Sequence, residues 1–181
     1  MKDSIRLFAA ATVPPLLKRQ LQALLQPFQH QAIRFLPEQN LHLTLYFIGN
    51  VPLLQLPDIQ QQINLVARQH PPFILDLDCL ELGPKPASPR LVWARFRPST
   101  SFEQLSQQLT QALSPEPVQQ QKPLPHITLA RLRKDVPKPG NMPPVAPSQP
   151  IQLPVTAVGL WQSVLASPHP VYTMLESYPL S

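Results

Sequence analysis

Two short stretches carry the same pattern of reactive residues. Leu41-His42-Leu43-Thr44-Leu45 returns as Pro125-His126-Ile127-Thr128-Leu129, with the histidines 84 residues apart (126 − 42). On a β-strand, residues i and i+2 point to one face. His42 and Thr44 would then share a face while Leu43 and Leu45 turn to a core, and His126 and Thr128 would do the same. Imidazole titrates near neutral pH, so one copy can be neutral and the other charged, which suits a base working beside an acid. A threonine hydroxyl on the same face can donate to an anionic oxygen. Taken singly, a strand histidine is more often a packed, hydrogen-bonded residue than a catalyst. Two of five histidines in the same setting point to one site built from two halves.

The elements that must hold these strands follow from periodicity and punctuation. Residues 5–11 read as a central strand. Pro14-Pro15 opens a helix whose apolar face is Leu16, Leu17, Leu21, Leu24, Leu25 and Phe28. A short strand is expected over 33–36. The first histidine strand is expected over 41–48, ended by Gly49-Asn50. A helix over 57–68 follows, then a strand over 73–80, with Phe73, Leu75, Leu77 and Cys79 on one face and Asp76 and Asp78 solvated on the other. A loop over 83–89 leads to a strand over 90–97 and a helix capped by Ser101. After a proline-rich loop over 115–125 comes the second histidine strand, 126–132, and a long surface loop over 135–150. Strands over 151–160 and 171–178 flank a turn at 163–170. The unit 151–178 echoes the unit 73–97, and each follows a histidine strand. The 181 residues therefore read as one internally duplicated domain with one His-x-Thr strand per half.

Composition narrows the partners. Hydrophobic residues make up 43% of the chain, enough for a core, and the net charge of +5 gives a mild bias toward anions such as phosphates or RNA. Cys79 is the single cysteine, so no internal disulfide is possible, and it reads as a small buried hydrophobe. The first residues lack a signal-peptide core, and no apolar run approaches the length of a membrane span. The expectation is a soluble, cytoplasmic protein that does not bind membranes. The 26 prolines against 4 glycines read as stiff connections between ordered segments.

These residues resemble the 2H phosphoesterase superfamily, specifically the RNA 2′,3′-cyclic phosphodiesterases long labelled 2′-5′ RNA ligases. The likeness covers nearly the whole chain. It includes the Arg6-Leu7-Phe8-Ala9-Ala10 strand, Asn40 to Leu45 with Phe47-Ile48-Gly49-Asn50-Val51 behind it, and Pro89-Arg90-Leu91-Val92-Trp93. It also includes Pro125 to Arg131 and the closing Tyr172 to Leu180. The resemblance implies an α+β fold of two pseudo-symmetric lobes, each an antiparallel sheet with outer helices, and a central cleft across which His42 and His126 face each other.

It also implies hydrolysis of RNA 2′,3′-cyclic phosphate ends to 2′-phosphates, without metal or cofactor, by a monomer. His42 would be the proton donor and His126 the acceptor, an order the residues alone do not fix. Thr44 and Thr128 would donate to the non-bridging oxygens, and Arg131 would add a charged donor. Phe47 would line the cleft and stack on a base. Phe47 and Arg131 lie at odd offsets from their histidines, so strict alternation turns both away. A β-bulge after each threonine would turn them back, and without one Tyr46 is the stacking candidate. Ligation is secondary, because no Gly-rich phosphate loop holds ATP. Two departures bear on which RNA end fits: Lys122-Pro123-Leu124-Pro125 lacks an aromatic residue, and the 135–150 loop is rich in proline. The competing readings are the same fold acting on small nucleotide cyclic phosphates, a non-catalytic RNA-binding module, and a zinc protein needing a third ligand. His30, His70 and His169 are expected at the surface or in turns.

Overall fold

The computed structural model describes residues 4–85, 88–114, 122–140 and 142–181. Residues 86–87 of the loop expected over 83–89, 115–121 of the proline-rich loop, and Asn141 lie outside the described residues. The strands are β1 (Ser4–Thr12), β2 (Ile33–Phe35), β3 (His42–Pro52), β4 (Phe73–Gly83), β5 (Leu91–Phe96), β6 (His126–Leu132), β7 (Gln152–Val155), β8 (Ala157–Val164) and β9 (Val171–Pro179). The helices are α1 (Pro15–Leu24), α2 (Leu56–Ala67) and α3 (Thr100–Leu113). The strands run in the order β7-β4-β5-β6-β3-β1-β8-β9, with β2 also on β6, and every pairing is antiparallel. The class is α+β.

The two histidine strands sit side by side at the middle of this order, joined by the single pair Leu43 and Ile127. Beyond that pair the halves diverge. The β4–β5 hairpin, which follows the first histidine in the chain, flanks the second histidine strand. The β8–β9 hairpin, which follows the second, lies beyond β1 on the side of the first. The hairpins are thus exchanged: each lies on the side of the motif that it does not directly follow.

One face of the sheet is apolar because alternate residues are. Leu7, Ala9 and Ala11 of β1, Leu43 of β3, Ala94 of β5 and Ile127 of β6 are all buried. Against them pack Leu17 and Leu21 of α1, Ile59 and Ile63 of α2, and Phe102, Leu105 and Leu109 of α3. Each fully buried large aliphatic or aromatic side chain contributes about 1.5–3 kcal/mol. The helices claim this face, and the other is left to polar and aromatic residues. Among the described residues, no helix is long and apolar enough to cross a membrane.

Several boundaries differ from expectation for local reasons. β3 does not end at Gly49-Asn50 but runs to Pro52, because Gly49 takes φ +89°, a left-handed conformation that carries little penalty for glycine. Ser99, not Ser101, caps α3, its Oγ accepting from the Phe102 amide at 3.3 Å. The strand expected over 151–160 is two strands. β7 pairs with β4 and β8 with β1, so the chain changes partners at Thr156. In β4, a register shift between Leu77 and Cys79 removes Cys79 from the face it would have shared with Leu77, although it stays buried.

Candidate active site

The pairing of β1 with β3 decides which residues join His42. Thr12 lies opposite His42, Ala10 opposite Thr44, Ala9 opposite Tyr46 and Phe8 opposite Phe47. One residue of β1 is thus matched by two of β3, and Leu45 is the extra residue of a β-bulge. β6 repeats the device. Arg95 lies opposite His126, Trp93 opposite Thr128, Val92 opposite Ala130 and Leu91 opposite Arg131, so Leu129 is the extra residue. Both bulges fall one residue after the motif threonine. Phe47 and Arg131 are thereby returned to the faces of His42 and His126. Tyr46 is instead aligned with core-facing Ala9 and packs against the core. The strict alternation that favoured Tyr46 is broken by the bulge.

A bulge leaves main-chain groups off the ladder, and each bulge here has a partner for its carbonyl. The Ser106 hydroxyl of α3 donates to the Leu45 oxygen at 2.6 Å. The Leu36 amide donates to the Leu129 oxygen at 2.9 Å.

At the centre, the pairing of Leu43 with Ile127 sets the rest of the register. In an antiparallel pair, the positions on either side place His42 level with Thr128 and Thr44 level with His126. Each histidine therefore faces the other motif's threonine, and the histidines stand on a diagonal of about 7–8 Å between backbones. Their rings are held alike. His42 Nδ1 donates to the Asn40 carbonyl at 2.7 Å, and His126 Nδ1 donates to the Leu124 carbonyl at 2.8 Å. With hydrogen on Nδ1, the neutral ring keeps its lone pair on Nε2. Burial lowers both imidazole pKa values below 6.5, opposed in each by the bond to the carbonyl; the charges of His126 and Arg131 lower that of His42 further.

Aromatic rings wall the site. His42 lies 4.8 Å from Phe8 and 5.2 Å from Tyr172, ring centre to ring centre, the latter edge-on. His126 lies 4.7 Å from Trp93, and His42 lies 6.5 Å from Trp161. Both tryptophans rest on glycine. A Cβ on Gly83 would run into the Trp93 indole, and one on Gly159 would stand 2.6 Å from Trp161 Nε1. Phe47 is 49% exposed, with the Arg6 guanidinium 4.9 Å from its ring centre. It stands on the same side of β3 as His42.

These wall residues are the part of the site that motif reasoning missed. The available signal was scarcity: a chain with 4 glycines that spends three inside strands, two of them against tryptophans, is making room for something close. Arg95, level with His126, pairs with Asp78 at 2.7 Å and Glu81 at 3.4 Å, so Asp78 is not simply a solvated strand residue. Of the other histidines, His70 is buried and bonded to Gln108 at 2.8 Å, contrary to the expected surface position. His30 accepts from the Ala32 amide in a turn. Among the described residues, no three His, Cys, Asp or Glu side chains are grouped to hold a metal ion.

Comparison with known proteins agrees with this architecture. Residues 12–165 match the model of the 2′-5′ RNA ligase superfamily. An RNA 2′,3′-cyclic phosphodiesterase of Thermus thermophilus is 33% identical over 187 residues, spanning 97% of this chain and 90% of that protein. One of Archaeoglobus fulgidus is 24% identical, spanning 96% and 99%. Among solved structures, one from Thermus thermophilus superposes with a TM-score of 0.81 at 32% identity, covering 97% of this chain and 98% of that one. E. coli LigT complexed with 3′-AMP gives 0.75 at 29% identity, covering 98% and 99%. The chain belongs to the 2′-5′ RNA ligase superfamily, within the 2H phosphoesterases.

Proposed function

We propose that this protein hydrolyses RNA 2′,3′-cyclic phosphate ends to 2′-phosphomonoesters by two-histidine acid–base catalysis. The observation that carries the reading is the crossed pair of His-x-Thr motifs. Each ring is fixed through Nδ1 to a carbonyl, and each is level with the opposite threonine through the Leu43–Ile127 register. A phosphate seated between the rings can meet an imidazole on either side and a hydroxyl on either side.

In the proposed reaction, neutral His126 accepts a proton at Nε2 from water as its oxygen bonds to phosphorus. The P–O3′ bond breaks, and protonated His42 gives its Nε2 proton to the leaving 3′-oxygen. One water is consumed and the 2′-phosphate remains. Thr44 and Thr128 donate to the non-bridging oxygens, and Arg131 adds positive charge. Phe47 gives the terminal base a surface on which to stack.

The assignment of acid and base meets one electrostatic tension. In the free site, His126 and Arg131 oppose a proton on His42, the ring assigned as donor. The bound phosphate anion would offset that opposition, so His42 would gain its proton together with the substrate. Relatives carrying the name RNA 2′,3′-cyclic phosphodiesterase support the substrate class, and ligation would be the same ring opening with a 5′-hydroxyl in place of water, the 3′-oxygen leaving as before.

The test is hydrolysis of an RNA ending in a 2′,3′-cyclic phosphate, in excess chelator, by the wild type, His42→Ala and His126→Ala. Turnover by the wild type and loss of at least about a hundredfold in each variant are expected. An inactive wild type, or a variant at full rate, overturns the mechanism. A 3′-phosphate product would reverse the leaving-group assignment.

A further inference from the structure

A basic recess lies at the Arg131 end of β6, the end away from His126. On one side stand Arg34 of β2, Arg131 of β6, and Arg133, Lys134 and Asp135 just beyond β6. On the other is His169, in the turn between β8 and β9. Arg133 binds Asp135 at 2.9 Å. Among the described residues, no carboxylate lies within ion-pair distance of Arg34, Arg131 or Lys134, although the Asp135 charge reaches Arg34.

Two features suggest that the recess is built for an anion. Arg34 and Arg131 are directly opposite each other across the β2–β6 pair, and like charges in that position destabilise a sheet. The wall facing them is also fastened to the catalytic strand. Asn40, 4% exposed, donates from Nδ2 to the Pro170 carbonyl at 2.8 Å, while its own carbonyl accepts from His42 Nδ1. One residue thus ties the turn carrying His169 to the ring of His42.

The spacing says which anion. Thr128 and Arg131 face Trp93 and Leu91, two residues apart on β5, so their levels differ by roughly 7 Å. That is about one backbone step of a nucleic acid away from a phosphate held between the histidines. We propose that the recess holds the phosphodiester on the 5′ side of the terminal nucleotide, making the end of an RNA strand a better ligand than a free mononucleotide. This assignment rests on the cyclic-phosphate reading given above. Arg34 and Lys134 are the new contacts, and Arg131 lies between the two phosphates.

Binding separates this claim from catalysis. The probes are an oligoribonucleotide ending in a 2′-phosphate, followed by fluorescence anisotropy, and the matching nucleoside 2′-phosphate as competitor. The proteins are the wild type, Arg34→Ala, Lys134→Ala and, as an equal change of charge on α1, Arg19→Ala. The wild type should bind the oligomer at least about tenfold more tightly than the mononucleotide, and each recess variant should lower the salt slope of oligomer binding by about 0.7. Arg34→Ala and Lys134→Ala should shrink the oligomer-to-mononucleotide ratio, and Arg19→Ala should not. Equal binding of both ligands by the wild type, or an equal loss in Arg19→Ala, overturns the proposal. A preserved ratio without turnover would count against the hydrolytic reading alone.

Discussion

Replacing Ser106 by alanine tests how the cleft is aimed. Ser106 is 4% exposed and donates to the Leu45 carbonyl at 2.6 Å. That carbonyl belongs to the bulge that puts Phe47 on the face of His42. Alanine removes the donor without adding volume and leaves a buried acceptor short of a partner, at a cost of about 1–3 kcal/mol. For a chain of this size, each kcal/mol lowers Tm by about 2–4 °C, so a fall of about 2–12 °C is expected in a thermal melt. The functional effect should be selective. If the bulge loosens, Phe47 loses its fixed aim while His42, held by the Asn40 carbonyl, keeps its own. KM for a cyclic-phosphate RNA should rise several-fold with kcat changing less. Thr110→Ala is the matched control, because Thr110 Oγ1 bonds only back along α3, to the Ser106 carbonyl at 2.7 Å. A Ser106→Ala protein with unchanged Tm and unchanged KM would refute the claim that α3 holds the bulge. A loss confined to kcat would refute the link to Phe47.

Removing the ring itself, Phe47→Ala, should raise KM about tenfold, the lower part of the 1–3 kcal/mol range for base–aromatic stacking; Tyr46→Phe should stay within about twofold, since Tyr46 is turned to the core. Gly83→Ala should displace the Trp93 indole and with it the ring of His126, cutting kcat at least about tenfold with the fold retained. Gly140→Ala, where a Cβ meets nothing within 4 Å, should do neither, and kinetics with circular dichroism would separate these outcomes. The imidazoles of His42 and His126 are both held below their ordinary pKa of 6.5, chiefly by burial. Between the lowered values and 6.5 the unfolded chain binds more protons, so stability is full above about pH 6.5 and declines as pH falls through that window. Melts from pH 7.5 to 5 should show this slope reduced in a His42→Gln, His126→Gln double variant; an equal slope in both proteins would mean that other groups carry it.

The strands themselves were largely legible, for two different reasons. IRLFAAA is a continuous apolar run from Leu7 on, as a central strand should be, and Leu7 to Ala11 are all buried; HITLARL alternates as far as Leu129, and β6 begins and ends where that pattern says. What alternation cannot show is an extra residue. Leu45 and Leu129 look like ordinary inward leucines, and both are buried. The bulges lie in the pairing with β1 and β5, not in the composition of β3 and β6. That is why Phe47 and Arg131 were undecidable by parity, and why the partner of the first bulge, Ser106, carried no signal at all: it sits 61 residues away on a helix. The cap at Ser99 was missed for a smaller reason, since Ser99 and Ser101 flank Thr100 and all three are acceptable helix starts.

The same pairing explains why the crossed topology favours a two-histidine site. A motif strand beside its own hairpin would place each His-x-Thr within a separate local unit. Here β3 and β6 instead become neighbours, and the two hairpins lie outside them. A single antiparallel contact at Leu43 and Ile127 then relates the motifs by a local two-fold axis. From that axis follow the matched carbonyl bonds to the rings, the opposed threonines and the bulges at equivalent places. The symmetry ends at the side chains that would choose an orientation for the substrate. Phe47 stands under Arg6 on one side, and Arg131 stands opposite Arg34 on the other. An aromatic surface at one end and a cationic recess at the other give a strand of RNA two different ends to recognise. That difference would assign the roles of acid and base to two histidines whose rings are held by the same kind of bond.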